Sequence, residues 1–184
     1  MTSLGTRPEW AAVIAEHAAR DATARRLIQQ LLAVEVSALA FCRLLERWSR
    51  GEADPSTPGK RQAALRRAAD RVETALSGLE RPLGRYLLEL EAGTAEGRSW
   101  FGQAGPAELV DWEPVLRRAG VRVAAHRVAS VYLELAVLVR ALEGLASTVR
   151  WQSNVGPGSL WAGLFDLREN LLGDTLADLR ALAA

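Results

Sequence analysis

An all-α fold, a single bundle of about five to six helices with three of them long, follows from three features of this sequence: its composition, its punctuation and its spacing. Apolar residues make up 49% of the 184 positions, mostly alanine and leucine, and Ile14 and Ile28 are the only isoleucines. Alanine and leucine lose little on entering a helix, whereas β-branched residues lose side-chain freedom. Glycine and proline cluster in a few places rather than recurring at turn intervals, and no strand-like alternation or internal repeat occurs between them. Within the uninterrupted runs, apolar residues recur in steps of three and four.

The first run is free of glycine and proline from Glu9 to Arg50 and ends in a turn-rich linker, Gly51 to Gly59. Its seam is Leu27, Leu31, Val34, Ala38, Phe41, Leu45 and Trp48. The second run extends from Lys60 to Ala92 with the seam Leu65, Ala69, Val72, Leu76, Leu79, Leu83, Tyr86 and Leu90. Pro82 lies inside it and has no N–H to reach Gly78, so a kink or break is expected there, one that would turn Arg81 and Arg85 away from Arg67 and Arg71. A Gly-rich loop, Gly93 to Gly105, precedes a short helix from Pro106 that Pro114 should interrupt. The third long run, Val121 to about Trp151, has the seam Ala124, Val128, Val131, Leu135, Leu138, Leu142, Leu145 and Val149. A last helix follows the turn at Asn154–Ser159 and reaches Leu182. A repeat of seven over about three heptads keeps one stripe facing a neighbour and favours shallow crossing angles. The whole chain, 1–184, is expected to form one domain.

Two of the long helices are apolar beyond their seams. Between Leu31 and Cys42 the only ionisable residue is Glu35, and Val36 stands opposite the seam. Between Val131 and Leu142 the only charges are Glu134 and Arg140. Such helices are surrounded, by their own bundle or by another protein. A lone buried carboxylate needs a partner, and Arg140 is the natural one for Glu35. Cys42, the single cysteine, has no intramolecular disulfide partner and is expected to be a small core residue.

No constellation for catalysis emerges. The Glu-x-x-His pairs of carboxylate-bridged di-iron bundles are missing, and His17 and His126 with one cysteine are too sparse for zinc. There is no nucleophile elbow and no phosphate-cradling Gly-x-x-x-x-Gly-Lys loop. No catalytic residue, metal or cofactor is therefore assigned, and the chain is expected not to be an enzyme.

Charge and aromatics suggest binding instead. The formal net charge is +1, and all but one of the 23 basic residues are arginine, Lys60 being the exception, as in proteins of GC-rich bacterial genomes. Segments 60–85 and 114–150 are basic, whereas 86–113 holds six acidic residues and one basic. Arg67, Arg71, Arg81 and Arg85 repeat at the seam's spacing but out of phase with it, so they should form an outer stripe, and Arg117, Arg118 and Arg122 add a second cluster. Either could follow a nucleic-acid backbone. Trp10, Trp48 and Trp161 lie on apolar faces and should be core, while Trp100, Phe101 and Trp151, beside arginine or glycine, join Val36 as candidate partner anchors.

No apolar run is long enough to cross a membrane, and the first ten residues lack a secretory signature, which suggests the cytoplasm. The leading expectation is a non-catalytic adaptor or scaffold subunit of a larger bacterial assembly that associates with itself or with a protein partner. A nucleic-acid-backbone-binding subunit comes second, and a bundle with an apolar small-ligand pocket third.

Overall fold

The computed structural model describes residues 22–52, 57–89, 109–151, 167–168 and 174–184, with side chains in those ranges except at 22–25, 28, 86–89 and 141–151. These residues form α1 (Ala22–Ser49), α2 (Pro58–Glu89), α3 (Trp112–Ala119), α4 (Ala125–Trp151) and α5 (Asp174–Ala183). No strand occurs among them, and the all-α architecture stands.

Each helix begins and ends where local chemistry dictates. At α1's C-terminus Gly51 adopts a left-handed φ of 73°, and Glu52 N–H donates to the Arg47 carbonyl at 3.0 Å, a Schellman closure. Helix α2 starts at Pro58 rather than Lys60, because a first-turn proline forfeits no intrahelical bond. Helix α3 starts at Trp112, where the Asp111 side chain accepts from Glu113 N–H at 3.2 Å. Pro114 therefore falls in the first turn and does not interrupt the helix, contrary to expectation. Gly120, with φ 68°, closes α3 by the same Schellman pattern as Gly51.

Pro82 does not break α2, which runs unbroken from Pro58 to Glu89. The residue whose carbonyl loses its bond is Gly78, which has no side chain to resist local adjustment. Gly78 also lets α1 close in, since a Cβ there would lie 2.8 Å from Gln30 Oε1. Gln30 is early in α1 and Gly78 late in α2, so the two helices are antiparallel.

The expected seams are interior wherever their side chains are described, except Ala124, which precedes α4 and is exposed. Leu27, Leu31, Phe41, Leu45, Leu65, Leu76, Leu79, Leu83, Leu135 and Leu138 are all almost fully buried. Packing runs in a ring: α1 lies along α2, α2 against α5, α5 against α4, and α4 back against α1, with α3 bridging α1 and α4. Helix α1 thus serves three neighbours and buries a second stripe, Glu35, Leu39 and Cys42, beside its seam. Helix α4 presents no exposed residue from Val128 to Val139 and is enclosed over that stretch. The matching expectation for α1 holds on only part of its circumference, because Ala33, Val36 and Ala40 face solvent.

The end of α3 is docked against the start of α2. A Cβ on Gly120 would meet Pro58 Cβ at 2.5 Å, Arg61 Nη1 donates to the Ala119 carbonyl at 3.4 Å, and Arg122 N–H donates to Gln62 Oε1 at 2.8 Å. Gly51 has a similar φ but nothing within 4 Å of its would-be Cβ, which makes it a control. Gly51→Ala should cost about 1–2 kcal/mol for the left-handed backbone. Gly120→Ala should cost that plus a further ~1–3 kcal/mol of overpacking against Pro58. Urea unfolding of both variants measures the difference, and equal costs would mean that the Pro58 contact yields freely.

Candidate interaction surfaces

The outer stripe of α2 forms as the spacing requires. Arg67, Arg71, Arg81 and Arg85 are all exposed, and all four belong to one unbroken helix. Pro82 thus leaves Arg81 and Arg85 exposed on the same helix as Arg67 and Arg71. Arg117, Arg118 and Arg122 are exposed at the α3 end and the loop after it, and the Gln62 bond sets that loop beside the first turns of α2. Arg117 is tied to Glu113 at 3.2 Å, an exposed pair of small energetic weight.

Val36 is 52% exposed, as expected of its position opposite the seam. Leu109, just before α3, is 91% exposed and was not foreseen. Trp48 is buried, as read from its place in the seam. Trp10, Trp100, Phe101, Trp161 and His17 lie outside the described residues, as does the side chain of Trp151. His126 is exposed.

Glu35 is buried at 4% exposure, whereas Arg140, expected inside with it, is exposed. A long arginine stem can lie along apolar surface while its guanidinium reaches water, which accounts for that correction. Both residues interact with other groups of the chain. Late α1 meets early α4 through the Tyr132 hydroxyl, which donates to Glu46 Oε1 at 3.3 Å, so these helices are antiparallel as well. Counting along each helix from that bond, Glu35 and Arg140 fall within about 5 Å of the same level.

Around that contact lies a polar cluster not foreseen from sequence. Tyr132 packs edge-on against Trp112, with centroids 4.9 Å apart and planes at 62°. Burial first, then the Glu46 carboxylate, pushes the Tyr132 hydroxyl up to about 12. The same two causes raise the Cys42 thiol to about 12, so it stays protonated and unreactive as a core residue.

A second cluster joins α4 to α5. Thr175, fully buried, donates its hydroxyl to Glu134 Oε2, and Ser130 Oγ donates to Glu134 Oε1 at 3.4 Å. Burial raises the Glu134 carboxyl above its ordinary value, the two hydroxyls lower it, and Asp178 and Asp174 raise it. Nearby, Arg180 Nε donates to Glu73 Oε1 at 3.0 Å and ties α5 to α2. Among the described residues no grouping of histidine, cysteine and carboxylate side chains could hold a metal ion, and no helix is long and apolar enough to cross a membrane.

Compared with protein families, curated proteins and solved structures, the chain matches none.

The raised Glu134 carboxyl has a definite sign in stability. A group that binds its proton more tightly when folded contributes stability that is full below its unfolded pKa and lost as pH rises through the folded value. Glu134 should therefore weaken the α4–α5 junction progressively as pH climbs above the ordinary glutamate range. Glu134→Gln should melt higher than the wild type at neutral pH, with the gap closing on acidification. Thermal melts across that range check this, and a gap that widens in acid would reverse the assignment.

Proposed function

We propose that the chain is a non-catalytic interaction subunit, a helical-bundle adaptor or scaffold within a larger assembly. Its arginine-for-lysine and alanine-rich composition suggests a bacterial origin, and its single cysteine, Cys42, suits a reducing cytoplasm. The observation that carries this reading is the outward side of α1, where Val36 is 52% exposed between exposed Ala33 and Ala40. From Val128 to Val139 helix α4 turns no exposed residue outward, whereas α1 leaves apolar surface exposed. Val36, with Ala33 and Ala40 beside it, would anchor the association, its burial under a partner's apolar side chains removing that surface from water. The test is purification from the native host with and without nuclease, followed by light scattering. A nuclease-resistant companion at fixed stoichiometry, or a defined homo-oligomer, is expected; a monomer recovered alone at every concentration would remove the reading.

A second reading, backbone binding to nucleic acid, is favoured by one observation: the Gln62–Arg122 bond sets the α3–α4 loop beside α2 and so brings two basic segments to one end of the bundle. Under it, replacing Arg67, Arg71, Arg81 and Arg85 with alanine should flatten the logarithmic salt dependence of affinity by roughly three to four. Sequence preference should be slight, because phosphate contacts position without specifying bases. An unchanged slope would discard this reading.

A further inference from the structure

We infer that the outward groove between α1 and α2 receives an amphipathic helix of a partner protein whose narrow apolar stripe is flanked by acidic residues; this deepens the adaptor reading and rests on it. On α1 the exposed residues Arg26, Gln29, Ala33, Val36, Ala40, Arg43 and Arg47 recur in steps of three and four on one outward face. On α2 the exposed residues Arg67, Arg71, Thr74, Gly78, Arg81 and Arg85 do the same, and Lys60 stands two turns before Arg67. Gly78 faces Gln30 of α1, so these two outward faces adjoin across the antiparallel pair. Together they carry eight cationic side chains and no acidic one. Asp70 and Glu80 stand on the other flank of α2, the side on which Glu73 meets Arg180 of α5.

The centre of this face is apolar and its ends and rims are basic, which selects among occupants. A second copy of α1 crossing antiparallel at Val36 would set Arg26 against Arg47, a like-charge contact at each end. A nucleic acid would satisfy the arginines, but none of these residues is aromatic, so bases would have nothing to stack on, and Val36 would face phosphates. A partner helix buries Val36 under its own stripe while its carboxylates meet both rims, the helix-in-groove mode. From Arg26 to Arg47 the face is about 32 Å long, room for a helix of about 20 residues.

The probes are three labelled ligands tested by fluorescence anisotropy against the full chain at about 0.15 M salt. One is a helical peptide of about 20 residues with a leucine stripe flanked by glutamates, one is its lysine-flanked sibling, and one is an oligothymidylate of about 20 nucleotides. The glutamate peptide should bind and its sibling should not. Val36→Glu should weaken binding at least tenfold, and the fourfold alanine variant of Arg67, Arg71, Arg81 and Arg85 should reduce both affinity and salt dependence. Circular dichroism of each variant separates loss of binding from loss of fold. Equal binding of the two peptides, or indifference to Val36→Glu in a folded variant, would overturn the inference. Tighter binding of oligothymidylate than of the glutamate peptide would also overturn it and make the face a phosphate surface. A native partner retained unchanged by both variants would sink the groove while leaving the adaptor reading intact.

Discussion

Everything in this bundle depends on α1 burying two adjoining stripes at once. Its heptad seam, from Leu27 through Phe41 to Trp48, packs into the bundle along α2, while Glu35, Leu39 and Cys42 form a second interior stripe beside it. Each large apolar side chain removed from water contributes about 1.5–3 kcal/mol before the entropy of ordering is set against it. With both stripes satisfied, α2 and α4 are held on different sides of α1, and α5 has one place to go, against both of them. The remaining circumference of α1 is too narrow to need another helix of the ring, and it faces outward with Val36 at its middle.

Much of this was legible from spacing, because heptad periodicity is a direct consequence of helix geometry. Seam residues such as Leu31, Leu76 and Leu135 were identifiable without coordinates and are interior. The errors arose where one residue's propensity was weighed without its neighbour's. Pro82 looked like a break, but Gly78 stands at the residue that bears the cost. Pro114 looked like an interruption until Asp111 moved the helix start to within three residues of it. The polar clusters were not legible for a different reason. Glu46 with Tyr132, and Glu134 with Thr175, are pairs 86 and 41 residues apart, created by which helices adjoin. No local pattern announces such pairings.

The two polar clusters also orient the ring. Apolar stripes slide with little penalty for a step of one turn, whereas a hydroxyl that must meet a carboxylate in a half-dry setting tolerates little displacement. Tyr132 with Glu46 fixes the register of α4 on α1, and Thr175 with Glu134 fixes α5 on α4. The Arg180–Glu73 pair then ties α5 to α2. Each of these bonds lies at a helix–helix contact, which suits a role in specificity more than in raw stability.

Charge placement tells against a surface chosen for stability alone. The chain's net charge of +1 conceals an uneven distribution along the sequence: residues 60–85 hold seven basic and three acidic residues, whereas 86–113 hold one basic and six acidic. On α3 an arginine follows a glutamate four residues on, and Arg117 meets Glu113 at 3.2 Å. On the joint face of α1 and α2 the same spacing instead pairs like with like: Arg43 with Arg47, Arg67 with Arg71, and Arg81 with Arg85. Each such pair costs about 0.2–0.5 kcal/mol in an isolated helix, where an oppositely charged pair would stabilise by as much. A glutamate at any of these positions would relieve the repulsion without touching the core. The arrangement gains a physical rationale once negative charge from outside the chain completes the face.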